Sequence, residues 1–223
     1  MRLYLFDIDG TLLTAGRQVL PIFSETLMEV FGETGDLEGY DFGGKTDPQI
    51  VLELLLGAGW AEAEVVERLP AMRDRYLDRL ERELQPERMR LFPGVREALD
   101  RLEGRPDAVV GLLTGNWERG GRAKLSRLDL NDYFPFGGFG DDGVARADLV
   151  PAALARAQRH SGRRFSPEEI LIIGDTVYDV ACAQAHGVPV LAVATGRTPA
   201  ERLREAGATW VVPDLEAAGE LLG

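Results

Sequence analysis

Leu3-Tyr4-Leu5-Phe6-Asp7-Ile8-Asp9-Gly10-Thr11 is an apolar run that ends in two aspartates, a glycine and a threonine. Side chains along a strand alternate between its faces, so residues two apart project the same way. Asp7 and Asp9 are therefore expected to leave the end of a buried strand side by side. Gly10 and Thr11 let the chain turn sharply just beyond them. Two carboxylates held that close repel unless a cation, a shared proton or a hydrogen-bond cage compensates. That cost points to chemistry.

Four further apolar runs read as buried strands: Ala108 to Leu113, Ile170 to Ile173, Val188 to Val193 and Thr209 to Val212. Helical spacing recurs between them, over Val95 to Leu102, Leu149 to Gln158 and Val177 to Ala185. Strands alternating with helices imply a parallel α/β sheet covered on both faces. Ligands of such sheets sit at the carboxyl ends of the strands. Asp7, Thr114 and Asp175 each stand just after an apolar run, so the fold is expected to bring them together.

Between the first strand and Leu91 the pattern changes. Leu52, Leu55 and Leu56, then Val65, Leu69, Met72, Tyr76 and Leu80, recur at helical spacing, with no strand-like alternation. This predicts a helical subdomain over residues 15–87, inserted into a core of residues 1–14 and 88–223. The tethers fall near Thr14 to Arg17 and Glu87 to Phe92, and Pro86 and the Pro93-Gly94 turn mark the return. Helices beside a catalytic sheet edge suit a lid.

Composition narrows the function. The 223 residues are 45% hydrophobic and carry a net charge of -12, which argues against nucleic acid or an anionic membrane as a partner. No apolar run is long enough to span a bilayer. Met1-Arg2 leads straight into a strand, which leaves no room for a signal peptide. The single cysteine, Cys182, excludes an internal disulfide, so the expected compartment is the cytoplasm. The basic residues are almost all arginine, and Lys45 and Lys124 are the only lysines. These two positions are candidates for sites that need an ammonium group.

With Asp7-Ile8-Asp9-Gly10-Thr11 at the start, Thr114 after one strand and Gly174-Asp175-Thr176-Val177-Tyr178-Asp179 after another, the chain resembles the haloacid dehalogenase superfamily of phosphohydrolases. The helical insertion looks like that family's C1-type cap, and the resemblance covers essentially the whole chain. It implies a Rossmann-like three-layer core with a parallel sheet, an inserted helical cap, and Mg²⁺ as cofactor. It further implies a small phosphorylated metabolite as substrate and a chain that works as a monomer or weak homodimer.

The implied chemistry can be followed through these residues. A phosphate monoester is a dianion, and a bare carboxylate cannot approach its phosphorus without charge neutralisation. Mg²⁺ binds hard oxygen ligands and supplies that neutralisation. The resemblance makes the Asp7 and Asp175 carboxylates and the Asp9 carbonyl its ligands. Asp179, four residues beyond Asp175, either joins them or orients a water ligand, with the second role preferred. Asp7 is then the nucleophile that forms an aspartyl-phosphate. Asp9 protonates the leaving alkoxide and later deprotonates the hydrolytic water. The Thr114 hydroxyl and nearby backbone N–H groups, with Gly115 and Asn116 as the candidates, are expected to hydrogen-bond the phosphoryl group, although Thr114 also suits a helix N-cap.

The family also carries a cation that screens the nucleophile, often a lysine followed by proline. This chain has Arg146-Ala147-Asp148 at the matching distance, with Lys124 as the other candidate, and Arg146 is preferred. A planar fork in place of a compact ammonium is not a neutral change. Gly43-Gly44-Lys45-Thr46-Asp47 resembles the substrate loop of phosphoglycolate-phosphatase-like members. Lys45 and Thr46 are expected to bind substrate, with Lys45 the residue free to reach a carboxylate or phosphate, while Thr46 or Asp47 equally suits a cap for the helix that begins near Pro48. His160 and His186 are too far apart for a metal site, and Trp117 is near enough to Thr114 to line a pocket.

The leading expectation is a Mg²⁺-dependent phosphatase of a small phosphomonoester, with 2-phosphoglycolate as one substrate. A sugar phosphomutase of the same superfamily is the alternative. A dehalogenase or a phosphonate-cleaving enzyme fits less well, because neither requires the acid at Asp9. A non-catalytic binding domain is disfavoured by the presence of Asp7, Asp9 and Asp175.

Overall fold

The computed structural model describes residues 1–222, so the expected core boundary at Gly223 lies one residue outside the described chain. Strand β1 (Arg2–Phe6) is followed by the short β2 (Leu13–Thr14) and three helices, α1 (Val19–Phe31), α2 (Asp47–Gly57) and α3 (Glu62–Glu83). The chain returns through β3 (Arg90–Leu91) and alternates thereafter. The later elements are α4 (Val95–Glu103), β4 (Ala108–Leu113), α5 (Glu118–Ser126), β5 (Gly137–Gly138), α6 (Leu149–Ser161) and β6 (Ile170–Gly174). They end with α7 (Val177–Ala185), β7 (Val190–Val193), α8 (Ala200–Glu205), β8 (Trp210–Val212) and α9 (Gly219–Leu222).

Six strands form one parallel sheet in the order β5-β4-β1-β6-β7-β8. The alternation along β1 explains its central place. Tyr4 and Phe6 enter an apolar cluster with α4 and α5, while Leu3 and Leu5 enter a second one with α6 and α7. Both faces of the sheet are therefore covered, as a parallel sheet requires. The order reverses around β1. The chain moves outward through β4 to β5, then returns to place β6 on the other flank. Phe6 lies opposite both Leu112 and Ile173, so the carboxyl ends of β1, β4 and β6 are level. Such a crossing point is where α/β sheets bind ligands.

The helices α1 to α3 join the first of these clusters through Phe23, Leu27, Val51, Leu55, Met72 and Tyr76. The two tethers lie side by side, since Leu13 pairs with Leu91 and Thr14 with Arg90 in an antiparallel ribbon. Gly137-Gly138, which the sequence presents only as a glycine cluster, is the edge strand β5. Among the described residues no helix is long and apolar enough to cross a membrane.

Candidate active site

The nucleophile candidate is set by the last turn of the β1 ladder. The Asp7 amide donates to the Ile173 carbonyl at 2.9 Å, which keeps Asp7 in line with the strand. The chain then folds back, with the Ile8 carbonyl accepting from the amides of Leu12 and Leu13, and the Gly10 amide donating to Leu13. Gly10 holds a φ of +86°, and a β-carbon there would fall on the Asp175 carboxylate. Glycine thus permits both the turn and the close approach of β6. Asp7 is 4% exposed, whereas the Asp9 side chain is 43% exposed. The two carboxylates share a cavity but not an environment.

Around Asp7 lies a buried charge cluster. Arg146 stands 3.2 Å from Asp7 and 2.5 Å from Asp179, and its fork also donates to the carbonyls of Leu113 and Gly44. Its buried Nε has no partner among the described residues. Burial pushes the Asp7 carboxyl up to about 6 despite the pull of Arg146, with Asp179 and Asp9 adding to the rise. Asp175 is pushed higher, to about 8, by burial and by the charges of Asp179 and Asp7. Burial opposes the Arg146 charge, yet Asp179 and Asp7 hold it more firmly protonated than usual. One guanidinium faces three carboxylates, so the cluster is short of positive charge.

Asp179 is fully buried and already engaged. Its Oδ2 accepts from the Thr176 amide and hydroxyl at 3.0 and 2.7 Å, closing a capping box at the start of α7. Its Oδ1 takes Arg146. The structure thus places Asp179 behind the site, as the group that orients Arg146. Asp175 accepts a hydrogen bond from the Thr11 hydroxyl at 3.1 Å and keeps oxygen lone pairs to spare.

A second network hangs from Asp9. Its Oδ2 accepts from Lys124 at 2.6 Å and from the Asn116 amide at 2.8 Å. Asn116 also donates to the Thr114 hydroxyl and accepts from Lys124 at 2.7 Å. The Thr114 oxygen therefore acts as acceptor, and its proton is left to donate into the cavity. Trp117, not Thr114, stands at the N-cap of α5. Gly115 lines the cavity beside Thr114. The Asn116 side chain bridges Asp9, Thr114 and Lys124 while the residue still lines the cavity. The two candidate cations divide the carboxylates: Arg146 pairs with Asp7 and Lys124 with Asp9.

The loop before α2 is stitched onto this edge. The Thr46 hydroxyl donates to the Val144 carbonyl at 2.5 Å and accepts from the Gln49 amide, so Thr46 is the N-cap. It is fully buried and does not line the cavity. Asp47, also buried, donates from its amide to Gly115 and accepts from the Trp117 amide at 2.8 Å. Burial pushes its carboxyl up to about 7 against the pull of Lys124. Lys45 lines the cavity, but its ammonium lies 2.6 Å from Glu53 and 4.1 Å from the centre of the Tyr40 ring. The structure does not leave it free.

Several contributors carried no sequence signal. Gly196, after β7, presses on the Asp175 carboxylate and has room for no β-carbon, and the Thr195 hydroxyl holds the Gly10 carbonyl at 2.5 Å. Neither belongs to a motif. Asp47 was visible only as a helix-start residue. Trp117 packs against Tyr76 instead of lining the cavity. Cys182 lies buried on α7 with its thiol against the Arg146 carbonyl, and burial pushes that thiol up to about 11. His186 contacts the Ala147 carbonyl, and His160 packs on Phe136.

The donor set suits a hard divalent cation. Among the described residues Asp7, Asp175 and Asp179 bring carboxylate oxygens within 4.8 Å of one another, all buried. The Asp9 carbonyl accepts no hydrogen bond among the described residues and remains open as a further oxygen donor. Oxygen-only ligation and a deficit of positive charge are the conditions that magnesium-type sites meet.

The family profile for haloacid dehalogenase-like hydrolases matches residues 4–193, from β1 to the end of β7. The chain belongs to the haloacid dehalogenase-like hydrolase family. This hydrolase is 25% identical over 221 residues to a phosphoglycolate phosphatase of Pseudomonas putida, spanning 97% of the chain and 78% of the relative. Its fold matches a hydrolase structure from Pseudomonas syringae with a TM-score of 0.73 at 20% identity, covering all of this chain and 98% of that one. A Thermotoga maritima structure assigned as a beta-phosphoglucomutase matches with a TM-score of 0.62 at 23% identity, covering 99% and 98%. In this member of the family, the sheet-edge aspartates, Thr114 and both cations meet in one cavity of about 750 Å³.

Proposed function

We propose that this haloacid dehalogenase-like hydrolase is a cytoplasmic, Mg²⁺-dependent phosphatase of small phosphomonoesters that works through Asp7. The observation that carries the reading is the division of labour between two aspartates two residues apart. Asp7 is buried beside Arg146 and Asp175, while Asp9 is half-open and tied to Lys124 and Asn116. The Asp7 and Asp175 carboxylates and the Asp9 carbonyl would hold the metal. When bound, Mg²⁺ offsets the charge of Asp7 and of the phosphoryl group.

The residues act in sequence. An Asp7 oxygen attacks phosphorus, and the bond to the ester oxygen breaks. Asp9 delivers its proton to that oxygen through Oδ1, since Oδ2 is occupied by Lys124 and Asn116. Asp9 then takes a proton from water, whose oxygen attacks phosphorus and releases Asp7 and inorganic phosphate. The Thr114 hydroxyl, whose oxygen already accepts from Asn116, is a donor for the phosphoryl oxygens. Residues 15–87 act as the cap that limits water access to a core of residues 1–14 and 88–223.

Phosphate release from a panel of phosphomonoesters, 2-phosphoglycolate among them, tests the reading. Release should require Mg²⁺, stop with EDTA and vanish in Asp7→Asn. Phosphoryl return to a bound sugar without phosphate release would mark the mutase instead. Release that survives in Asp7→Asn would remove the assignment.

A further inference from the structure

The cavity over Asp7 holds about 750 Å³, in the range that encloses ligands far larger than a two-carbon acid. Part of its lining is apolar, built from Val19, Leu20 and Phe23 of α1, Leu37 and Phe42 of the following loop, and Ile50 of α2. Leu20 remains 43% exposed within this lining. Apolar surface therefore stays against water until a ligand covers it.

The charges on that side disfavour a carboxylate near the ester. Lys45, the one cation of the lining between α1 and α2, is held by Glu53 and covered by the Tyr40 ring. Glu38 and Asp41 line the same side, exposed and without an ion-pair partner among the described residues. Arg90, which pairs with Thr14 across the β2–β3 ribbon, and Arg197 in the segment after β7 also line the cavity, both as exposed residues whose charge solvent screens.

From these features, and resting on the phosphatase reading, we infer that the leaving group is an alcohol with a substantial apolar body and no carboxylate beside the ester, a class that excludes 2-phosphoglycolate. Such a body would cover the α1 face while its phosphoryl end sits over Asp7.

Three primary-alcohol esters separate the possibilities: ethyl phosphate, 2-phenylethyl phosphate and 2-phosphoglycolate. The first two have leaving groups of similar acidity, so their ratio reports the cavity more than the chemistry. With Mg²⁺ present, kcat/KM for the phenylethyl ester should exceed that for ethyl phosphate by roughly 10- to 100-fold, as burial of one aromatic group predicts. It should also exceed that for 2-phosphoglycolate. Leu20→Asp, at an exposed position that tolerates charge, should pull the phenylethyl-to-ethyl ratio toward one, and Phe23→Ala should do the same. A ratio near one, a preference for 2-phosphoglycolate, or a ratio indifferent to both variants would overturn the inference. If those results came with release that still depends on Asp7, the phosphatase reading would stand. Absence of Asp7-dependent release from every ester, in this panel and the broader one, would overturn both.

Discussion

The two walls of the cavity are built on opposite principles. On the sheet edge, three charged side chains are locked: Asp179 by Thr176 and Arg146, Arg146 by Asp7 and two carbonyls, Asp9 by Lys124 and Asn116. The helical wall of α1 and its following loop is mostly apolar, partly wet, and its one lysine is occupied elsewhere. The first wall holds reacting atoms in place through hydrogen bonds that a substitution would break. The second can change shape and polarity without disturbing them. Chemistry and selectivity are thus carried by separate parts of the chain, and the two should respond differently to mutation.

After the loss of Asp7 itself, the largest effect should come from the proton donor of the locked wall. Asp9→Asn keeps the contact to Lys124 but carries no transferable carboxyl proton, and kcat should fall by about 10²- to 10⁴-fold. The loss should be smaller for an aryl ester, whose leaving group needs less protonation. An equal loss on alkyl and aryl esters would assign Asp9 to positioning instead.

Next come the two cations. Arg146→Ala leaves Asp7 and Asp179 buried without their partner, and breaking such a pair costs about 3–5 kcal/mol. The metal-free protein should therefore unfold at a markedly lower temperature, and activity should fall further than in Lys124→Ala, whose partner Asp9 is nearly half exposed. The reverse order of activity loss would transfer the screening role to Lys124. Arg146→Lys keeps the charge but cannot serve two carboxylates and two carbonyls together, so it should recover only part of the loss.

A pH effect follows from the same wall. The Asp175 carboxyl is raised to about 8 and Asp7 to about 6 by burial and mutual repulsion. Groups raised above their unfolded values stabilise the fold at low pH, and that contribution is lost as pH rises through the folded values. The metal-free protein should therefore lose thermal stability between about pH 4 and pH 8. Mg²⁺ binding competes with those protons, so its stabilisation should be greater near pH 8 than near pH 5 and absent in Asp175→Ala. A metal shift that is the same at both pH values would mean that these carboxyls do not hold the ion.

The smallest effect belongs to the helical wall. Lys45→Ala removes a partly exposed ion pair with Glu53, a loss of about 0–1 kcal/mol. The activity ratio between carboxylate-bearing and neutral esters should stay nearly unchanged. A selective rise in KM for the carboxylate-bearing ester would show that Lys45 leaves Glu53 when substrate binds.

The same contrast governs what the sequence reveals. β1, β4 and β6 are legible because buried parallel strands read as continuous apolar runs, and α7 because Val177 to Ala185 recurs at helical spacing. Asp7, Thr114 and Asp175 could be brought together from chain order, since each follows a strand, whereas Arg146 is reached only through the family resemblance. β5 was hidden because Gly137-Gly138 carries no side chains from which to read a period. The β2–β3 ribbon is too short to show alternation. The fate of Lys45 depended on Glu53, one further turn along α2, and Asn116 is committed to three partners from separate segments. Long-range pairing of polar groups leaves no local pattern.

The most direct test of the account is chemical trapping of Asp7 during turnover. Enzyme mixed with Mg²⁺ and substrate, quenched in acid and reduced with borohydride, should yield on tryptic digestion a peptide of residues 3–17 that is modified at Asp7 alone. The modification should be absent without substrate and in Asp7→Asn. Phosphate release at full rate with Asp7 unmodified, or a label on any other carboxylate, would contradict the proposed route.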